Sequence, residues 1–367
     1  MGRFFELIND PARALGAYSS SSIPAHDAHS SLIKLNANES AYGPSPKALA
    51  AMREAIERGH LYPDDNAEIL RDKLAERYQV RPEQVLVSNG TTALLGVIAR
   101  TLLRPGLNAV TSECSFISYP MVMQAVGAEL LTTPLREGGY DLEAILAAIT
   151  PETRVVFLAN PNNPTGTLVG ADAVGHFLER VPPQVITVLD EAYCDYAQHF
   201  AVNRKVTYSL SLEHVKYDRN VIVLRTFSKA HGLAGLRVGY GIGPAELIAY
   251  LARVQDVFAV SSLAHAAAVA AFDDEAHVRF AVEQNALQLE SMLRELSSLG
   301  FAVLPTWTNF LSLDVHQDAR DFARKLRREG VLVRPLGAWG APTQIRVTLG
   351  TPEQNRFFLD ALRRALA

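Results

Sequence analysis

The sequence predicts an α/β protein in which a large domain has a mostly parallel seven-stranded sheet covered by helices, and a smaller domain is α+β. Seven short apolar segments alternate with helical patterns between residues 85 and 242. Strands that are apolar on both faces are typical of parallel sheets buried between helices. A helical stretch from Pro244 to about Ser298 precedes three further strand candidates, which predict the smaller domain. With 367 residues, 48% of them hydrophobic, the chain can bury both cores.

Each predicted element has its own signal. In "SPKALAAMREAIERG", Ser45 suits an N-cap, Pro46 suits the first helical turn, and Gly59 ends the pattern. The strand candidates of the large domain are 85–88, 109–112, 129–134, 154–159, 185–190, 221–226 and 237–242. The small domain is predicted to contain strands at 310–315, 331–336 and 344–350, and helices at 319–329 and 352–366.

Composition and charge favour work on small molecules. The net charge of -4, without a basic stripe or polybasic patch, predicts neither nucleic-acid nor membrane binding. The N-terminus lacks the apolar core of a signal peptide, and no apolar run reaches the ~20 residues of a membrane span, so a cytoplasmic protein is expected. Cys114 and Cys194 are far apart and form no CxxC, so neither a disulfide framework nor a metal site is expected.

Polar and charged residues follow several predicted strands. Asn89 and Gly90 follow the first strand, the loop "NPNNPTG" (160–166) follows the fourth, Asp190 ends the fifth, and Lys229 follows the sixth. Ligands of doubly wound sheets bind beyond the carboxyl ends of the strands. A lysine directly after a buried strand is costly unless its amine has chemistry to perform. These residues therefore predict a ligand site at that edge.

The residue types at this edge match the functional groups of pyridoxal phosphate. The turn in "SNGTTALLG" opens a helix whose free N–H groups suit a phosphate, and Arg237 adds a planar guanidinium. Asp190 could keep the pyridine nitrogen protonated, while Lys229 could form a Schiff base with the aldehyde. Tyr193 follows Asp190 by three residues and could face the same ligand.

The set of motifs resembles the fold-type I, pyridoxal-phosphate-dependent aminotransferases. More narrowly, it is similar to the histidinol-phosphate aminotransferase family of class II. The similar segments are "LNANESAYGPSP" (35–46), "YPDD", "NPNNPTG", "DEAY", "RTFSKAHGLAGLRVGY", "GVLVRP" and "IRVTLGTPEQN". The resemblance extends from Tyr18 to the C-terminal helix. It implies amino transfer between histidinol phosphate and glutamate or 2-oxoglutarate in histidine biosynthesis.

The resemblance implies a role for each matching residue. Lys229, Asp190 and Tyr193 would be catalytic, as the Schiff-base lysine, the partner of the ring nitrogen and a partner of the ring hydroxyl. Further cofactor contacts would come from Gly90, Thr91, Thr92, Phe116, Asn163, Thr226, Arg237 and Tyr62. Substrate contacts would come from Tyr18, Asn38, Arg334 and Arg346.

The resemblance also implies a homodimer, because Tyr62 would reach the cofactor phosphate of the neighbouring subunit. Residues 1–52 would contribute to the small domain and to dimer contacts. Residues 53–255 would form the large pyridoxal-phosphate-binding domain, and residues 256–367 the C-terminal part of the small domain.

The sequence departs from the family pattern at two places beside the expected cofactor. Thr92 and Ala93 stand where the family commonly has Asp-Glu, and Phe116 stands where it usually has Tyr. The missing acidic pair leaves an aromatic amino acid aminotransferase open as an alternative. The motifs also leave open a pyridoxal-phosphate-dependent decarboxylase of amino-acid phosphates. A sensor with a DNA-binding module is not expected, since no basic helix-turn-helix pattern precedes residue 35.

Overall fold

The computed structural model describes residues 5–15 and 32–366. Its α-helices are α1 (Asp10–Ala14), α2 (Pro46–Ile56), α3 (Glu68–Tyr78), α4 (Thr91–Leu102), α5 (Ser118–Val126), α6 (Leu142–Ala148), α7 (Ala171–Arg180), α8 (Cys194–Arg204), α9 (Ser211–Lys216), α10 (Ala245–Val254), α11 (Ser262–Phe272), α12 (Glu275–Ser298), α13 (Ala319–Arg328) and α14 (Pro352–Leu366). Within these ranges no helix is long and apolar enough to cross a membrane.

The strands of the described residues form one large sheet and three small ones. They are β1 (Ile33–Lys34), β2 (Val85–Ser88), β3 (Asn108–Ser112), β4 (Glu129–Thr133), β5 (Leu135–Arg136), β6 (Gly139–Tyr140), β7 (Thr153–Ala159), β8 (Ile186–Asp190), β9 (Val221–Thr226), β10 (Gly239–Ile242), β11 (Phe310–Asp314), β12 (Val331–Leu332), β13 (Arg334–Pro335) and β14 (Gln344–Thr348). The large sheet has the order β2-β10-β9-β8-β7-β3-β4. The predicted seven-stranded sheet is therefore confirmed.

The large sheet is parallel except for β10, which runs antiparallel to both β2 and β9. Because β10 is reversed, Arg237, just before its start, lies at the same sheet edge as the carboxyl ends of the other strands. Residues following β2, β7, β8 and β9 meet at this edge too. The topology thus brings together side chains that lie more than a hundred residues apart in the sequence.

The small sheet has the order β11-β14-β13, and β12 pairs with β1 in a separate two-stranded sheet. The segment 331–336, predicted as one strand, is split, because Leu332 pairs with Lys34 while Arg334 pairs with Arg346. The N-terminal segment that includes β1 is thereby tied to the C-terminal part of the chain.

Two large hydrophobic cores stabilise the fold. The first surrounds the seven-stranded sheet and includes the fully buried Phe157 and Phe227. The second packs α12, α13 and α14 on β11 and β14, with Phe310 and Phe358 at its centre. Helix α11 packs on α2 in the first core. The domain boundaries at 52/53 and 255/256 stay a proposal.

Gly239 at the start of β10 lies against the turn that opens α4. It pairs with Ser88 on β2 and Thr226 on β9. A Cβ atom at this position would lie 2.7 Å from the backbone nitrogen of Thr91 and 3.0 Å from the carbonyl carbon of Gly90. Glycine therefore allows the sheet to approach the first turn of α4 closely.

We expect Gly239→Ala to lower the free energy of unfolding by about 1–3 kcal/mol, because the added methyl group would displace backbone atoms. Urea denaturation measures the change. Gly235→Ala is the control, since Gly235 is exposed and a Cβ there meets no atom within 4 Å; it should change stability by about 0.5 kcal/mol or less. Equal losses in both variants would contradict the close approach.

Candidate active site

A pocket at the carboxyl ends of the parallel strands brings most of the predicted site residues together. Those that line it are Asn38, Thr91, Thr92, Phe116, Asn163, Asp190, Tyr193, Thr226, Lys229, Arg237, Arg334 and Arg346. The pocket is also lined by Ala37, Ile117, Ala159, Pro161, Ala192, Ser228 and Trp339. Side chains from both cores thus face one cavity.

Two of the predicted residues that the structure describes, Gly90 and Tyr62, are not among those that line the pocket. Gly90 is the N-cap of α4, next to Thr91 and Thr92, which do line the pocket. Tyr62 is 82% exposed and stacks on Phe258 with ring centroids 4.6 Å apart. It lines a different cavity, together with Leu61. Tyr18 lies outside the described residues.

The N-terminus of α4 forms one end of the pocket and is suited to an anion. Gly90 has φ 83°, and a Cβ there would lie 2.7 Å from a terminal nitrogen of Arg237. Arg237 donates to Ser228 Oγ (3.2 Å) and to the carbonyl of Ala234 (2.9 Å). Free N–H groups at a helix N-terminus, with a guanidinium beside them, bind phosphate well.

Asp190 is a buried carboxyl group at the end of β8, with 3% of its surface exposed. Its oxygens accept hydrogen bonds from the Ala192 N–H (3.2 Å) and from the Tyr119 hydroxyl (3.4 Å). Burial raises the pKa of Asp190 to about 6, although the Ala192 N–H acts in the opposite direction. The carboxylate would therefore be stabilised by a positively charged N–H group on a ligand.

The adjacent acid, Glu191, is paired away from the pocket. It is 1% exposed and accepts hydrogen bonds from Arg225 Nε (3.0 Å) and Nη2 (2.8 Å), as well as from Ser209 Oγ (2.6 Å). This buried ion pair satisfies Glu191, whereas Asp190 faces the cavity. Of these two neighbouring acids, Asp190 is the one available to a ligand.

Lys229 Nζ lies over backbone carbonyls of the N-terminal segment, donating to Ala37 (3.3 Å) and Asn38 (3.0 Å). Burial, followed by the nearby charge of Arg346, lowers the pKa of Lys229 to about 7. A substantial share of this amine is therefore neutral and nucleophilic near pH 7.

Arg334 and Arg346 face each other directly across β13 and β14. Like charges at such positions destabilise a sheet, so the pair favours a bound anion. Both guanidinium groups donate to the carbonyl oxygen of Asn36, from Arg334 Nε (3.4 Å) and Arg346 Nη2 (3.1 Å). Arg346 also donates to the side-chain oxygen of Asn163. Two cations are thereby held at one end of the pocket.

Tyr193 is buried beside this cluster, and its hydroxyl accepts a hydrogen bond from Asn38 Nδ2 (2.8 Å). Burial raises the pKa of Tyr193 to about 12, so its hydroxyl stays protonated near neutral pH. The tyrosine can therefore donate its proton in a hydrogen bond to a negatively charged ligand oxygen.

Comparisons with known proteins identify the family. The sequence profile described as "Aminotransferase class I and II" matches residues 30–362. The chain belongs to the class I and II aminotransferase family. A histidinol-phosphate aminotransferase of Moorella thermoacetica is 45% identical over 92% of this chain and 86% of its own length. Histidinol-phosphate aminotransferase 2 of Pseudomonas fluorescens is 47% identical over 92% of this chain and 90% of its own length.

Solved structures of other proteins share this fold. The histidinol-phosphate aminotransferase of Sinorhizobium meliloti in complex with pyridoxal-5'-phosphate superposes with a TM-score of 0.88 at 29% identity, covering 99% of this chain and 98% of that one. A Thermus thermophilus aspartate aminotransferase double mutant has a TM-score of 0.85 at 24% identity, covering 98% of this chain and 99% of that one. The predicted family and fold are confirmed.

Sequence reasoning missed two residues of this aminotransferase's site. Asn309 is 2% exposed and donates from Nδ2 to the carbonyls of Asn38 (3.2 Å) and Glu39 (3.1 Å). It supports Asn38, which has a left-handed φ of 56°. Trp339 lies between the strands of the two arginines and lines the pocket. Its position in "RPLGAW", five residues after Arg334, is the feature of the sequence that could have predicted its place in the pocket.

We expect the stability of the cofactor-free aminotransferase to rise with pH above about 7 through Lys229. Its folded pKa of about 7 lies below the ordinary value of 10.5, so the unfolded chain binds this proton more tightly in that interval. Lys229→Met should remove that contribution and make the protein more stable near pH 7. Urea unfolding at pH 7, 8 and 9 measures the slope.

The control for this experiment is Lys34→Met, which changes an exposed lysine on β1. It should keep the slope of the wild type. If Lys229→Met kept the same slope as well, the amine would not be the group that titrates.

Proposed function

We propose that this aminotransferase moves an amino group between histidinol phosphate and glutamate or 2-oxoglutarate, with pyridoxal phosphate bound at Lys229, in histidine biosynthesis. The observation that carries the proposal is the arginine pair Arg334–Arg346 at one end of a pocket that already contains a second anion site beside Arg237. A phosphorylated substrate needs such a second site. The names of the relatives at 45% and 47% identity support the same substrate.

The residues of the pocket fit pyridoxal phosphate at three points. The turn at Gly90 and Arg237 would hold the phosphate, together with Thr91, Thr92 and Thr226. Asp190 would contact the ring nitrogen, and its buried carboxyl group gains a charged partner in this way. The amine of Lys229 would meet the aldehyde. Phe116 would pack on the ring, while Tyr193 and Asn163 would contact the ring hydroxyl.

When bound, pyridoxal phosphate supplies an aldehyde carbon that takes up an amine and a ring that withdraws electrons from the neighbouring carbon. Asp190 would hold the proton on the ring nitrogen, since its buried carboxylate would pair with the charged N–H group. Lys229 Nζ, with a pKa near 7, would take the proton from the amine-bearing carbon of the donor in one half of the reaction, and would give a proton to the corresponding carbon of the acceptor in the other half. Tyr193 would orient the ring hydroxyl by a hydrogen bond.

The arginine pair would select the substrate by charge. Arg334 and Arg346 together provide two guanidinium groups, which suit the dianionic phosphate of histidinol phosphate. Glutamate would use Arg346 for its α-carboxylate. The same pair thus accepts in turn a substrate without a carboxylate and one without a phosphate.

An aromatic amino acid aminotransferase is the second candidate function. Thr92 and Ala93 lack the acidic charges common in the family, and the pocket wall contains Phe116 and Trp339. An apolar, ring-lined wall suits phenylalanine or tyrosine as well as imidazole. We expect histidinol phosphate to be the better donor because it engages both arginines.

The donor preference tests the function. With 2-oxoglutarate as acceptor, the wild type should show a higher kcat/KM for histidinol phosphate than for phenylalanine, and Lys229→Ala should be inactive with both. Arg334→Ala should reduce kcat/KM for histidinol phosphate by about 1–3 kcal/mol more, in transition-state free energy, than for phenylalanine.

The matched control is Arg328→Ala, which removes an exposed arginine at the end of α13. This variant should have the kcat/KM of the wild type for both amino donors. A wild type that prefers phenylalanine, without a selective loss for the phosphate donor in Arg334→Ala, would assign the protein as an aromatic aminotransferase.

We also propose that the enzyme is a homodimer in which Tyr62 contacts the cofactor phosphate of the partner subunit. Leu61, Tyr62, Ile69 and Val257 are 56%, 82%, 59% and 81% exposed, which gives this part of the surface an apolar character. Clustered exposed apolar residues mark protein interfaces. Tyr62 lies outside the pocket of its own chain, so a second chain is needed to bring it to a site.

Complementation tests the role of Tyr62. Tyr62→Ala and Lys229→Ala homodimers should each have little activity, but mixing them under conditions of subunit exchange should restore part of it, because a hybrid dimer contains one site with both residues. Light scattering should give twice the chain mass of 40.1 kDa. A monomer, or exchanged dimers without recovered activity, would refute the shared site.

A further inference from the structure

Trp339 lies on the short connection between the two strands that carry the substrate arginines. A 3-10 helix, Gly337–Trp339, follows β13 and precedes β14. The backbone N–H of Trp339 donates to the carbonyl of Leu336 (2.9 Å), and Gly340, with φ 81°, ends the turn. The backbone of Trp339 is therefore held between the same strands that position Arg334 and Arg346.

The indole ring lines two adjoining cavities. One is the main pocket, and the other extends behind Phe116 and Ile117, which line both cavities as well. The guanidinium of Arg346 lies 6.0 Å from the centre of the indole ring. Trp339 thus belongs to the end of the pocket assigned to the substrate, and its ring borders open space.

The indole nitrogen of Trp339 is buried and has no hydrogen-bond partner among the described residues. A buried donor without an acceptor is destabilising, and an indole N–H can only donate. The side chains of Phe116 and Ile117, its neighbours in the wall, have no acceptor atoms. An acceptor on a bound substrate would satisfy this donor.

We propose that Trp339 determines specificity by packing on the planar ring of the amino donor and donating its N–H to an acceptor on that donor. This inference rests on the proposed function, in which one donor has a ring and the other, glutamate, has none. Aromatic rings gain from packing on each other beyond the burial of area. Trp339 therefore favours imidazole or phenyl donors over aliphatic ones, while it adds nothing to the binding of 2-oxoglutarate.

The test compares ring donors with an aliphatic donor. Trp339→Leu should lower kcat/KM for histidinol phosphate and for phenylalanine about tenfold, whereas the value for leucine should change less than about twofold. KM for 2-oxoglutarate should stay unchanged. Trp339→Phe keeps an aromatic ring but removes the indole N–H. Its kcat/KM should therefore equal that of the wild type for phenylalanine and should be partly restored for histidinol phosphate.

Fluorescence gives a readout that does not depend on turnover. The chain contains two tryptophans, Trp307 and Trp339, and Trp307 packs on Arg204. In a Trp307→Phe variant, emission reports on Trp339 alone. Addition of histidinol phosphate should shift this emission, while leucine should leave it unchanged.

Two outcomes would overturn the inference. In the first, Trp339→Leu lowers kcat/KM equally for all amino donors and for 2-oxoglutarate, which would indicate a structural role. In the second, histidinol phosphate turns over without any change in the emission of Trp339. Failure of the proposed function appears separately, as a wild type that does not prefer histidinol phosphate. In that case the ratio of kcat/KM for phenylalanine to kcat/KM for leucine, compared between the wild type and Trp339→Leu, still decides the role of Trp339.

Discussion

The backbone carbonyls of residues 36–38 accept hydrogen bonds from three of the cations of the active site. The carbonyl of Asn36 accepts hydrogen bonds from Arg334 and Arg346, while the carbonyls of Ala37 and Asn38 accept hydrogen bonds from Lys229. Lys229 follows a strand of the large sheet, whereas both arginines lie on the small sheet. One short segment thus contacts both the lysine amine and the two arginines for which a substrate role is proposed. Asn38 can act in this way because asparagine tolerates the left-handed backbone conformation found there.

The charges of the pocket are unequal, and this imbalance determines its chemistry. Lys229, Arg237, Arg334 and Arg346 line the cavity, and Asp190 is the one acidic side chain among the described residues that line it. Burial raises the pKa of Asp190, and burial together with the nearby charge of Arg346 lowers the pKa of Lys229. Two bound anionic groups would balance the arginines, and a protonated ring nitrogen would balance Asp190. The cofactor and the phosphorylated substrate proposed for this aminotransferase supply these groups.

Close backbone packing produces the anion site at α4. Gly239 lets β10 approach Thr91, and Gly90 leaves space for the guanidinium of Arg237. Because β10 runs against its neighbours, Arg237 arrives at the edge where the parallel strands end. The helix N-terminus and the arginine therefore meet as a direct consequence of the sheet order.

The sequence by itself determined the seven strands, their mostly parallel arrangement and the chemical character of the site. Apolar segments predict buried strands, and Asp190 and Lys229 are recognisable because charged groups directly after such strands need partners. Tertiary structure decided what depends on distant pairing. The segment 331–336 divides between two sheets, Arg334 comes to face Arg346, and Asn309 reaches the carbonyl of Asn38. Trp339 enters the pocket for the same reason. A pattern along the chain reports the burial of each residue, but which residues face each other is set by strand register and by the packing of separate cores.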